Sequence, residues 1–259
     1  MALEREIWIN SIIEGLYKDN TFAAQSVDHS PWINNRTVHV PNAGTGPNVV
    51  KNRSTLPATI TTRTDIDLKY DIAEFTTDPI RIPHAETVEL SYNKRESVIS
   101  VSRDTLTEKV HDSLLADWIA GAASITAGTD VKATIKAIKK QFDKDNVYQE
   151  GRFLLLDADE YNDLVELLTD SAMAHFLSGA SPEAGTVGKY LGFNIYTRST
   201  LNGVKSGLAW HRNAVSRALG ETEMFDDQGS PTYYGDIVSF LVRSGGKVIR
   251  YDGKGVLTY

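Results

Sequence analysis

Residues capable of enzymatic chemistry occur throughout this chain, but not at the spacings that chemistry needs. The six histidines are His29, His39, His84, His111, His175 and His211. No two of them stand at i, i+2 or i, i+4, where one strand or helix face could present two imidazoles to a metal. Cysteine is absent, which removes thiolate ligands, thiol nucleophiles and disulfides, and suits a reducing cytoplasm. Gly44-Thr45-Gly46 is followed by Pro47. No Gly-Lys-Ser/Thr follows and the proline withdraws an N–H, so this reads as a turn and not a phosphate cradle. Ser91-Tyr92-Asn93-Lys94 matches a Ser-x-x-Lys nucleophile motif, without the Ser-Asp-Asn and Lys-Thr-Gly partners that complete such a site. Asp157, Asp159 and Glu160 sit between an apolar run and a helical pattern, where carboxylates cap a helix and favour its positive end. Glu221, Glu223, Asp226 and Asp227 read as a solvated acidic loop, and Lys139 with Lys140 as a solvated helix face. No nucleophile, base and oxyanion donor assemble. The reading is therefore of a chain that is not an enzyme, with no catalytic residue, cofactor or metal assigned.

The elements of the chain explain where these residues fall. With 259 residues, 41% hydrophobic and 24% charged, the chain is long enough for a substantial core. Its formal net charge of −7 argues against a dedicated nucleic-acid reader, which would carry a basic face. No run of 18 apolar residues predicts a membrane span. Leu3, Ile7, Trp8, Ile12 and Leu16 space a helix over 3–17.

From His29 to Thr64 there is no acid, but Arg36, Lys51, Arg53 and Arg63 are present. Thr37–Val40 reads as a strand, 41–48 as irregular, and Ala58–Thr64 as a second strand. The whole is a long hairpin too polar to fold alone. Residues 65–92 are acidic and strand-like, with Asp65–Ile72 alternating at period two.

The longest element is a helix from about Asn93 to about Ser124, with Gly121 and Gly128 as the residues that end it. Asn93 and Glu96 have the spacing of a capping box. Val98, Val101, Leu106, Val110, Leu114 and Trp118 form its apolar stripe, widened by Leu115, Ile119 and Ala122. Leu106, Val110, Leu114 and Trp118 are the predicted buried seam. Further on come a helix over 131–145, a buried strand over 152–156, and a helix capped by Asp157 or Asp159. A strand over 190–196 and another over 207–210 follow, then a short helix over 213–219. Strands 237–242 and 247–251 flank a turn at Ser244-Gly245-Gly246.

This order resembles the major capsid proteins of tailed double-stranded DNA phages with the HK97-like fold. Leu90-Ser91-Tyr92-Asn93-Lys94-Arg95-Glu96-Ser97-Val98 is similar to the family's entry into its spine helix, and Thr105-Leu106 and Asp117-Trp118 continue the likeness. Gly188-Lys189-Tyr190-Leu191-Gly192-Phe193-Asn194-Ile195-Tyr196 resembles a strand of its axial domain. Tyr234-Gly235, Gly246-Lys247-Val248 and Asp252-Gly253 resemble its C-terminal hairpin.

The resemblance implies an α+β fold in five parts. These are an N-terminal arm (1–35), an E-loop (36–75), a peripheral domain with the spine helix (76–130), an axial domain (131–229), and C-terminal strands returning to the peripheral domain (230–259). It implies hexamers and pentamers of an icosahedral shell around double-stranded DNA, in a virion assembled in the host cytoplasm. The partners implied are other copies of the chain, a separate scaffolding protein and a portal, with non-specific proximity to packaged DNA and no membrane. The charge pattern adds a contact: Lys51 or Arg53 of one copy meeting Asp71, Glu74 or Glu89 of the next. Two rivals remain: an encapsulin-type compartment shell, and an enzyme with a lid at 41–48.

Overall fold

The computed structural model describes residues 21–44, 46–54, 56–58, 60, 62–83, 94–181, 185–199, 201 and 206–259. The helix over 3–17, the capping residue Asn93 and Glu89 lie outside the described residues. In chain order, α1 (Thr21–Ala24) and β1 (Val27–Asp28) precede β2 (Ile33–Asn34) and β3 (Thr37–Asn42). After the 43–65 segment come β4 (Ile66–Asp71), β5 (Ala73–Thr76) and β6 (Ile80–Pro83). Next are α2 (Lys94–Gly121), β7 (Ala123–Ser124), α3 (Val131–Lys144), β8 (Arg152–Asp157), α4 (Ala158–Leu167) and α5 (Asp170–Leu177). The chain closes with β9 (Gly188–Tyr190), β10 (Phe193–Arg198), β11 (Gly207–His211), β12 (Val215–Ser230), β13 (Gly235–Val248) and β14 (Val256–Thr258).

Three sheets result. One is built on the long antiparallel hairpin β12–β13, with β1 on one side and β5 and β6 side by side along β13. The second runs β7-β14-β11-β8-β10-β9. The third, β2-β3-β4, is the base of the long loop. Helix α2, 28 residues long, spans about 42 Å at 1.5 Å per residue and lies on β13. Its register is set by stepping four residues at a time along one face. Leu106 and Val110 pack on Met224, Val238, Phe240 and Val242 of the first sheet. Leu114 and Trp118 continue into a different core, shared with Phe153, Leu155, Tyr196 and Trp210 of the second sheet. The four seam positions thus serve two sheets, because the second sheet meets the helix where its last turns lie over the end of β13. Val101, placed by periodicity in the same stripe, is exposed; it lies one residue off the face that 102, 106 and 110 define.

The helix approaches β13 so closely that the strand has no room for a side chain beneath it. A Cβ on Gly246 would overlap Leu114 Cδ1, and would lie 2.7 Å from the Ser216 carbonyl oxygen and 3.1 Å from Trp118 Nε1. Ser244-Gly245-Gly246 is therefore not the turn that the sequence predicts. It is the middle of a single strand, thinned where the helix crosses. The short helix predicted over 213–219 is likewise replaced. Only a 3-10 turn, Arg212–Ala214, precedes β12, whose backbone is held by its ladder to β13.

These two findings move a boundary. Residues 215–229 lie with the long helix and not with the 131–214 elements, since β12 and β13 are arms of one hairpin. The last strand, β14, pairs with β11 and β7 in the second sheet and does not return to the first. The predicted strand over 190–196 is also two strands, β9 and β10, joined by Leu191 and Gly192. Both carry positive φ, 48° and 89°, as a tight two-residue hairpin requires.

The second sheet has helices on one face. Val131, Ile135, Ile138 and Phe142 of α3 and Leu164 of α4 pack on Leu154, Leu156, Phe193 and Ile195. Helix α3 starts at Asp130, whose carboxylate accepts from the Ala133 N–H at 2.6 Å, and Asp157 caps α4. The opposite face supplies Trp210, which meets Trp118 at 5.8 Å between ring centroids. Each indole N–H is satisfied by a carbonyl, Trp118 at Ser216 and Trp210 at Gln25, both at 2.9 Å.

Trp118→Ala removes the fully buried ring that joins the two cores. It should cost about 3–5 kcal/mol of unfolding free energy, read as a lowered midpoint in denaturant titration. A loss below about 1 kcal/mol would mean that the two sheets are held together elsewhere.

Candidate inter-subunit surface

The 43–65 segment starts and ends on a well-anchored base. Strands β3 and β4 pair from Thr37–Asp71 to Asn42–Ile66. Val38 and Tyr70 of that ladder are buried with Ile72 and Ala218. The Asn42 amide donates to the Ile249 carbonyl at 2.9 Å, and Lys247 Nζ to the Lys69 carbonyl at 2.9 Å. Irregular backbone therefore starts after Asn42 and not at Pro41; Pro41 stays in register with Asp67. No strand forms in the described part of Ala58–Thr64. Its threonines and isoleucine favour extended chain, but a strand needs a partner ladder, and none lies beside it among the described residues.

Beyond the base the segment touches chiefly itself. Arg63 pairs with Asp65 at 2.6 Å, and Asp65 also accepts from the Gly44 N–H at 3.1 Å. These contacts hold the Asp65 carboxyl below its usual range, the arginine hydrogen bond first among the causes. The described tip is exposed throughout, and its aliphatic residues are the most exposed aliphatics among the described residues: Ile60 at 95%, Val49 at 88% and Leu56 at 79%. Lys51 and Arg53 are exposed beside them and form no ion pair among the described residues. A surface of large aliphatics flanked by unpaired bases costs solvation free energy unless something covers it.

The acids proposed opposite these bases are placed as follows. Asp71 ends β4 and accepts from the Thr37 hydroxyl at 2.6 Å. Glu74, on β5, shares Arg243 with Glu221, each at 3.3 Å. The structure does not bring Lys51 or Arg53 to either acid within one chain. The four acids read as a loop, Glu221, Glu223, Asp226 and Asp227, are in fact on β12. Asp226 is largely buried and binds Arg95 of α2 at 2.6 Å, and Asp236 of β13 joins at 3.3 Å. That cluster pins the start of the long helix to the hairpin. Alternation around Met224 was the available signal, masked because the neighbouring inward positions are Thr222 and Asp226. The outer face of the same sheet carries Glu221, Glu223, Phe225 and Asp227, with exposed Tyr233 and Tyr234 at the hairpin turn.

Potential catalytic groups are spent on structure. His111 is buried on α2, with Nδ1–H donating to the Thr107 carbonyl at 2.6 Å and Phe22 edge-on at 5.7 Å. Burial pushes its pKa down to about 4. His211 is held by the Glu150 carbonyl at 3.0 Å and accepts from the Asn213 N–H. Among the described residues no group of three metal-ligating side chains converges, and no helix is long and apolar enough to cross a membrane.

Excising 45–62 and joining Ala43-Gly44 to Arg63-Thr64 through a Gly-rich turn removes chain that is exposed wherever it is described. The thermal midpoint should move by no more than a few degrees. A collapse of cooperative unfolding would show that the segment belongs to the core.

Comparison with known proteins agrees with this architecture. No family model and no curated protein matches the sequence. Solved structures do match. The capsid of the cyanophage P-SCSP1u superposes with a TM-score of 0.67 at 14% identity, over 90% of this chain and 85% of that one. The capsid of a native GTA particle gives 0.69 at 8% identity, over 92% and 89%. A virus-like particle from Pyrococcus furiosus gives 0.64 at 11% identity, over 98% of both chains. The long helix laid on the sheet built on the β12–β13 hairpin, and the six-stranded α/β unit beside it, are the α+β HK97-like fold of these shells.

Proposed function

We propose that this chain is the wall-forming subunit of a closed shell, the major capsid protein of a tailed double-stranded DNA phage, and not an enzyme. The observation that carries the proposal is the exposed, anchored segment 43–65 on a fold shared with capsid subunits. Its base is rigid and its aliphatic tip is uncovered, as suits an arm completed by another copy. In this reading the segment is the tip of an E-loop, α2 is the spine helix, and the β12–β13 sheet with α2 forms the peripheral domain. The second sheet with α3–α5 is the axial domain, and copies associate as hexamers and pentamers. The remaining partners are a scaffolding protein, a portal and, without sequence readout, the enclosed DNA. The shell belongs to a virion assembled in the host cytoplasm.

Lys51 and Arg53 supply the register of the arm on the next copy, against the acidic surface near Asp71, Glu74 and Glu89. Each exposed pair is worth only about 0–1 kcal/mol, so their role is encounter and alignment. A shell of the same fold enclosing protein in place of DNA is the second reading, supported by the match to the virus-like particle over 98% of both chains.

Light scattering and negative-stain microscopy of the purified chain, with and without its scaffolding protein, test the proposal. Closed particles or ring-shaped capsomers are expected, with slower assembly for Lys51→Glu/Arg53→Glu at low salt. A chain that stays monomeric under all these conditions contradicts the shell reading. Unchanged kinetics for the double variant contradict the charge pairing alone. Nucleic acid or protein recovered inside the particles separates the two readings.

A further inference from the structure

Two helices on one face of the second sheet carry opposite charges that the chain does not pair. On α3, Lys132, Lys136, Lys140 and Lys144 recur every fourth residue, so they form one stripe, and the last three are exposed. On α4, Asp159, Asp163 and Glu166 recur at i, i+4 and i+7, again one exposed stripe. Within the chain Lys139 pairs with Asp143 at 2.6 Å, and Lys132 reaches only the Leu167 carbonyl at 3.2 Å. Lys136, Lys140, Lys144, Asp159, Asp163 and Glu166 have no ion pair among the described residues.

At one end of each helix the charge runs against the helix's own preference for acids at its start and bases at its end: the first turn of α3 holds Lys132 and no acid, and the last turn of α4 holds Glu166 and no base. Lys144 in the last turn of α3, and Asp159 and Glu160 in the first turn of α4, are placed as their helices prefer. Glu160, Asp163 and Glu166 line a groove of about 480 Å³ beside the first turn of α3. The acids there crowd one another: burial first, then Asp163 and Asp157, raises the Glu160 pKa.

We infer that the α3 lysine stripe of one copy docks on the acidic α4 ridge and groove of a second copy, as one of the contacts that close the ring. The inference rests on the shell-subunit reading above. Two complementary stripes can pair head-to-tail, which generates rings of identical copies, the arrangement that the shell-subunit reading requires. The occupant is a copy of this chain because the complementary charge pattern, helical and similarly spaced, is on the chain itself.

A charge swap tests this. Three variants are compared with the wild type at low ionic strength: Lys136→Glu/Lys140→Glu/Lys144→Glu, Asp163→Lys/Glu166→Lys, and all five together. Circular dichroism checks the fold. If a reversal unfolds the chain, glutamine replacements at the same positions are used, with a smaller loss in the same direction expected. Each partial reversal should slow particle formation by about tenfold or more, and the combined variant should recover most of that rate. Normal assembly of both partial variants overturns the docking. So does a combined variant no faster than its slower parent, and loss of DNA retention without loss of assembly would assign the lysines to nucleic acid instead. A wild type that forms no particles fails the shell reading itself, and the two failures are therefore distinct.

Discussion

Trp118 sets the constraint on which the rest of the structure depends. Its ring is fully buried, and the turn that carries Leu114 and Trp118 lies close to a strand that has no side chain at Gly246. Helix α2 therefore sits low on β13 and follows it to its end at Val248. Its last turns reach Trp210 and Phe153 of the second sheet. The N-terminal residues complete the junction. Phe22 lies edge-on to Trp118 at 6.1 Å, and Arg217 donates to the Ala23 carbonyl at 2.6 Å. At its other end α2 is held by Arg95 between Asp226 and Asp236. A long helix tied at both ends, over an uninterrupted hairpin, is a beam on which peripheral segments can be mounted without disturbing the core.

What is mounted there is chemically unlike the core. The ladder β3–β4 is fastened by Val38 and Tyr70, and the chain beyond it presents aliphatics and bases to water. A monomer gains nothing from that arrangement. In an assembly the same residues gain apolar burial, at roughly 25 cal/mol per Å², from a neighbour. The unpaired stripes of α3 and α4 follow the same logic in charge. On the proposed reading, these are the surfaces that other copies of the chain would cover.

Much of this was legible in the residue pattern, and the exceptions have specific causes. The long helix, its Gly121 end and the burial of 106, 110, 114 and 118 follow from period and composition. The buried strand 152–156 and the cap at Asp157 are equally local signals. Gly245-Gly246 misled because glycine serves turns and close approaches alike, and only the position of Trp118 decides between them. Strand β12 was hidden by Asp226, a carboxylate that faces inward because Arg95, more than a hundred residues earlier, neutralises it. Leu191-Gly192 was read through as strand because a positive φ at leucine has no signature in sequence. The stretch Ala58–Thr64 has strand propensity and no ladder, since propensity is realised only where a partner exists. Lys139 and Lys140 read as a solvated face and Asp159 and Glu160 as a helix start, since sequence carries no record of which helix faces share a side of the sheet.

The central proposal is that the exposed 46–62 segment is covered by other copies of the chain and not by its own fold. Hydrogen exchange measured on the free subunit and on assembled particles tests this most directly. The account predicts that amides of the β8–β11 and β12–β13 ladders are protected alike in both states. Those of 46–62 should exchange freely in the subunit and become protected only in the particle. Protection of 46–62 in the free subunit, or its continued free exchange in closed particles, would contradict the account.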